Sequence, residues 1–156
     1  MSALDPTSRR ILQLLLADGR ASYQAIADEV GLSRPAVMER VKRLEESGHI
    51  LGYTARVDRA RLGFPITAFV AVRYPGNEAD GAAAAVRSLE DNPSVLECHH
   101  VAGEDCYILK VAAPSLEALE RMLRSLREPG LSASTRTTIV LSSVFEKAGV
   151  VPVEAD

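Results

Sequence analysis

The strongest constraint on this chain is the punctuation of its first fifty residues, where three apolar stripes at helical spacing each follow a capping residue. Asp5-Pro6 sets an N-cap before a proline at the first helical position, and Ile11, Leu12, Leu15 and Leu16 then recur at helical spacing up to Asp18-Gly19. Ser22 caps a second segment, in which Tyr23, Ile26, Ala27 and Val30 form a stripe that ends at Gly31, a residue that permits a sharp bend. Ser33 caps a third, with Pro35 in its first turn and Val37, Val41 and Leu44 at i, i+4 and i+7. Three short helices are predicted. The second and third, joined at a glycine with the small Ala27 just before it, have the spacing of a helix-turn-helix.

In that motif the second helix enters the major groove of DNA. On a wheel of about 100° per residue, the buried stripe of the third helix leaves Pro35, Ala36, Glu39, Lys42 and Arg43 outward, flanked by Arg34, Met38 and Arg40. With Ser33 at its leading end, and Ser22 and Tyr23 opening the second helix, these are the candidate DNA contacts. Early residues are placed to read bases, whereas Arg40, Lys42 and Arg43 are placed to hold the phosphate backbone. The competing reading is a plain three-helix bundle with a solvated charged face. After Ser47-Gly48, residues 50–57 read as extended chain, a wing or a linker strand.

Charge supports an asymmetry between the halves. The chain has a formal net charge of −3, which argues against an indiscriminate nucleic-acid coat. Residues 1–60 carry nine Lys/Arg against eight Asp/Glu, and residues 61–156 carry nine against thirteen, so the first part is the better anion binder. The 156 residues, 47% of them hydrophobic, suffice for one or two small domains with real cores. The longest apolar stretches are far too short to span a bilayer and no secretory signal is apparent, so a cytoplasmic protein with no membrane partner is expected. Two cysteines in such a chain read as free thiols rather than a disulfide framework.

Gly63-Phe64-Pro65 marks a boundary, giving an expected helix-turn-helix domain with linker strand over 1–60 and a second domain over 61–156. In the latter, strands are predicted over 66–74, 95–101, 107–112 and 134–141. One helix is predicted over 78–91; another, capped by Ser115 and carrying Leu116, Leu119, Met122, Leu123 and Leu126, stops at Pro129-Gly130. The order strand-helix-strand-strand-helix-strand is that of a ferredoxin-like βαββαβ domain, making the chain α+β overall. Helices cover one face of such a sheet, so a second copy is expected on the other, as a homodimer or a higher oligomer of dimers.

Across nearly its whole length the sequence resembles the Lrp/AsnC, or feast/famine, family of transcriptional regulators. The segments that carry the resemblance are Leu4-Asp5 with Ile11-Leu12, then residues 18–22, Leu32-Ser33 with Val37, residues 40–45, 48–53, 101–110 and 135–141. The resemblance implies a winged helix-turn-helix tethered to a ferredoxin-like domain whose sheets pair into dimers, with effectors bound near the glycine loop. One position departs from the pattern: an Asp that many members carry three residues after that glycine is Cys106 here, preceded by Glu104 and Asp105.

The implied partners are operator DNA and a small effector, an amino acid. The effector site is expected at Val101, Ala102, Gly103, Glu104, Asp105 and Cys106, with Thr135 and Thr137 contributed by a neighbouring subunit. Loop N–H groups can donate to an α-carboxylate, and Glu104 or Asp105 can pair with an α-ammonium. No cofactor is expected. Cys98-His99-His100 with Cys106 invites a zinc reading. A two-residue turn at Gly103-Glu104, however, sets 101 opposite 106 and 98 opposite 109, with the cysteines on opposite faces, so no metal is expected. Nor does any triad or phosphate-cradling loop appear, so the chain is read as a non-enzyme. The reading is a sequence-specific transcriptional regulator modulated by an effector. The alternatives are an architectural DNA-binding protein with weak sequence preference, and a ligand-binding protein whose helix-turn-helix contacts other proteins.

Overall fold

The computed structural model describes residues 4–74, 79–126, 134–147 and 149–150. Helix α1 (Pro6–Ala17) starts at Asp5, whose carboxylate accepts the backbone N–H groups of Thr7 and Ser8, and stops at Asp18. Helix α2 (Tyr23–Val30) is capped by Ser22 and ends at Gly31, which is left-handed with φ 68° and ψ 33°. Helix α3 (Arg34–Glu46) is capped by Ser33. Each cap gives an otherwise unpaired first-turn N–H a partner. The stripes meet in one core, with Ile11, Ile26, Ala27, Val37 and Val41 almost wholly buried and Leu12 and Leu44 close behind.

Residues 50–58 carry no regular secondary structure. The expected linker strand is therefore not formed among the described residues. An extended chain becomes a strand only when its N–H and C=O groups pair with a neighbour, and none of the four described strands takes this segment as its neighbour.

The remaining elements are β1 (Ile66–Arg73), α4 (Ala79–Arg87), β2 (Val95–His100), β3 (Tyr107–Ala113), α5 (Leu116–Ser125) and β4 (Ser134–Ile139). They form a four-stranded antiparallel sheet in the order β2-β3-β1-β4. Alternate residues Ala68, Val70 and Val72 of β1 and Leu109, Val111 and Ala113 of β3 face Leu89, Leu119, Met122 and Leu126. The other face of β1 leaves Phe69 and Arg73 exposed. Cys98 pairs with Leu109, and Val101 N–H donates to the Cys106 carbonyl at 2.9 Å, the register that a tight turn at Gly103-Glu104 requires. Helix α4 is shorter than the expected 78–91: the chain turns after Arg87, and 88–91 lie in turns. The expected stop at Pro129-Gly130 lies outside the described residues.

By contact the chain forms two compact units: residues up to Arg56 together with those from Phe145 onward, and Val57–Val144. Periodicity alone offers no reason to separate the last residues from the sheet, because they contain no helical or strand repeat. No described helix is long and apolar enough to cross a membrane.

Candidate DNA-binding face and effector loop

The face of α3 opposite its buried stripe exposes Arg34, Pro35, Met38, Glu39, Lys42 and Arg43, with Ala36 half-buried. Ser33 accepts the Ala36 N–H at 3.4 Å, which leaves its hydroxyl proton able to donate to an anion at the helix N-terminus. Ser22 caps α2 in the same way, through Ala25 N–H at 3.1 Å, and Tyr23 follows it, half-buried. Tyr23, Pro35, Met38, Glu39, Lys42 and Glu45 line a shallow groove of about 370 Å³ between the start of α2 and α3.

The basic residues differ in what holds them. Arg43 pairs with Glu39 at 3.0 Å and Lys42 with Glu46 at 3.7 Å, both exposed i,i+4 pairs. Such pairs contribute about 0.3–0.5 kcal/mol and yield readily to a phosphate. Arg40 is different. Its Nη1 donates to both oxygens of Asp5, at 3.0 and 2.9 Å, and to Ser8 Oγ at 3.1 Å, so it ties α3 to the cap of α1. The Asp5 carboxyl is held below its ordinary value, chiefly by the hydrogen bond from Ser8 and further by Arg40. Beyond α3, the Tyr53 hydroxyl donates to Glu45 at 3.0 Å; burial and that carboxylate raise its pKa to about 12, so it remains a donor at neutral pH.

The glycine loop joins β2 to β3. Gly103 has φ 141°, a conformation side chains disfavour, and a Cβ there would meet nothing within 4 Å. Val101, Asp105 and Cys106 are half-buried, Ala102, Gly103 and Glu104 exposed. Asp105 is bound by Arg136 of β4, Oδ2 to Nη2 at 2.7 Å. The sequence reading did not single out Arg136. Strand alternation was the available signal: Thr135 and Thr137 pair with Val72 and Val70 on the helix-covered face, while Arg136 pairs with Ala71 on the other. The structure thus brings Asp105 together with Arg136, and places both threonines on the far side of β4.

Cys106 lies just outside β3 and packs against the core, its Sγ 4.0 Å from the Tyr74 carbonyl, so strict face alternation does not govern it. Among the described residues no group of three or more His, Cys, Asp or Glu side chains is placed to hold a metal ion.

Residues 4–50 match the winged helix-turn-helix DNA-binding family and residues 67–150 the Lrp/AsnC ligand binding domain. The chain is 37% identical over 151 residues to the HTH-type transcriptional regulator LrpA of Mycobacterium tuberculosis, covering 96% of this chain and 98% of that one. Its fold is similar to that of the feast or famine regulatory protein of M. tuberculosis complexed with L-methionine, with a TM-score of 0.86, 37% identity, and coverage of 96% and 100% of the two chains. A transcriptional regulator of Neisseria meningitidis, solved as an L-methionine complex, gives a TM-score of 0.84 at 26% identity, covering 95% and 96%. A capped helix-turn-helix with an exposed basic face, followed by an antiparallel α+β domain of this order, places the chain in the Lrp/AsnC family of DNA-binding transcriptional regulators, which are not enzymes.

Proposed function

We propose that this protein is a cytoplasmic regulator that binds operator DNA as a homodimer or an assembly of dimers, through α3, and is modulated by an amino acid bound at the loop of residues 101–106. The observation that carries the effector reading is the Asp105–Arg136 pair. A carboxylate and a guanidinium held side by side are the complement of a zwitterion: Asp105 takes the α-ammonium and Arg136 the α-carboxylate, each through charge-assisted hydrogen bonds. Arg136 is largely exposed, so the existing pair exchanges for ligand at small cost. Gly103 keeps the adjacent backbone open, and two similar regulators carry L-methionine. Thr135 and Thr137 lie on the opposite, helix-covered face of β4, so they are not part of this pair.

The DNA reading rests on the exposed face of α3, with Ser33, Arg34, Pro35, Ala36 and Met38 toward bases and Lys42 and Arg43 toward phosphates. Arg40, engaged with Asp5, positions the helix rather than touching DNA. Titration calorimetry of the full chain with the twenty amino acids tests the effector half. At least one binds, and Arg136→Gln weakens it about tenfold or more without unfolding the protein. If none binds, or if Arg136→Gln leaves the affinity unchanged, the assignment of this pair fails.

A further inference from the structure

Helix α3 carries an acid where DNA would favour a cation. At about 100° per residue, the buried Val37, Val41 and Leu44 centre on one side of α3, and Glu39 falls within about 15° of the point directly opposite, closer to it than Pro35, Lys42 or Arg43. Its side chain is more than half exposed and sits in the N-terminal half of the helix, the part of a recognition helix that contacts base edges. With Tyr23, Met38 and Lys42 it lines the groove of about 370 Å³ between the start of α2 and α3. The other acids of α3 are engaged near its end: Glu45 accepts the Tyr53 hydroxyl at 3.0 Å, and Glu46 pairs with Lys42 at 3.7 Å. A carboxylate brought against DNA is repelled by phosphates and loses water, so Glu39 is tolerable there only if its charge is offset and its oxygens find donors. Arg43, one turn along, meets the first condition by donating from Nε to Glu39 Oε1 at 3.0 Å. A carboxylate accepts several hydrogen bonds, so this one leaves capacity for a base.

We propose that Glu39 is a specificity-determining residue, accepting a hydrogen bond from the N4 amino group of a cytosine in the operator. This rests on the reading that α3 enters the major groove. Of the base edges exposed there, only the amino groups of cytosine and adenine donate, while guanine and thymine present acceptors. Adenine sets its N7 acceptor beside the N6 donor, which repels a carboxylate, whereas cytosine has only a C–H beside N4. Cytosine is therefore the base that a carboxylate held at this position selects. The pair with Glu39 uses a single N–H donor of the Arg43 guanidinium, so the same side chain can still meet a phosphate. Because an exposed i,i+4 pair adds little to stability, Glu39 can be replaced without loss of the fold, and its effect on base choice can be read separately.

The test is selection of duplexes from a random-sequence pool by the full chain, native and Glu39→Gln, at one salt concentration. The native chain should enrich sites with a fixed C·G pair, and Glu39→Gln, whose amide matches adenine N6 and N7, should enrich A·T at that pair alone. The best native site is then remade with each of the other base pairs at that position. Native affinity should fall about tenfold or more for each, whereas Glu39→Ala should bind all of these duplexes equally, within about threefold. A native site with no fixed C·G pair, Glu39→Gln that selects the native base there, or Glu39→Ala that keeps the native preference overturns the proposal. So does a Glu39→Gln chain that loses affinity for every duplex alike or fails to fold in a thermal melt, since Glu39 would then serve only to hold Arg43 or the helix. A native chain that enriches no sequence at all fails at the earlier step: α3 does not read bases, and the reading beneath the proposal falls with it.

Discussion

Arg40 and Asp5 are bound to each other across the first unit, the guanidinium of α3 lying 3.0 and 2.9 Å from the two oxygens of the carboxylate that caps α1. One side chain thus does two jobs: Asp5 satisfies the first-turn N–H groups of its own helix and anchors the helix expected to enter DNA. The most central cation of α3 is thereby taken from the set available to phosphate.

Arg40→Ala should cost stability more than DNA affinity. A partly exposed pair of this kind contributes up to about 1 kcal/mol, whereas Asp5→Ala also removes the cap and should cost about 1–2 kcal/mol. Urea unfolding of both variants checks the order. Arg40→Ala that unfolds like the native chain and loses DNA affinity instead would put the guanidinium on a phosphate.

The same pair gives a pH dependence. The folded pKa of Asp5 lies below its ordinary 3.8, because of the Ser8 hydrogen bond first and Arg40 after it, so its contribution is present above pH 3.8 and is lost as pH falls through the folded value. Asp5→Asn keeps a good cap and removes the charge. The stability difference between native and Asp5→Asn chains should therefore be constant near neutrality and shrink below pH 3.8. A difference that stays constant to lower pH contradicts the ion pair.

Among the described residues Lys42 is held by an exposed pair with Glu46, and it is the better phosphate contact. Lys42→Ala should weaken binding to all DNA about equally and lower the slope of log affinity against log salt by about one. An unchanged slope leaves Lys42 as a solvated surface charge.

What the sequence made legible was local. The caps at Asp5, Ser22 and Ser33 and the bend at Gly31 are decided within a few residues of chain, and the β2–β3 register follows from a tight turn. What it hid depends on distant partners. Arg40 looks like any outward arginine until Asp5 is brought to it, and Arg136 looks like a strand residue until the loop carries Asp105 across. Residues 50–58 have strand-forming content but pair with none of the described strands, and residues 145–150 carry no helical or strand repeat in their sequence.

Gly103→Val should strain the loop without crowding it, since the position is open but φ is 141°. A backbone penalty on the order of 1–3 kcal/mol is expected, read as a lower unfolding midpoint, with effector binding lost and DNA binding retained. Unchanged effector binding would place the effector elsewhere.

Phe69 is exposed on the sheet face that no described helix covers, beside Lys110 and Thr138 in register. If a second copy covers that face, Phe69→Glu should shift the full chain from dimer toward monomer at micromolar concentration in sedimentation. A native chain that is already monomeric there rules out the pairing.

The most direct measurement is the affinity of the full chain for the promoter of its own or an adjacent gene against random DNA, at one matched salt concentration. A regulator that reads bases through α3 should prefer the promoter by about a thousandfold or more. Affinities equal within a few-fold would contradict it and leave a protein that binds and shapes DNA with little regard to sequence.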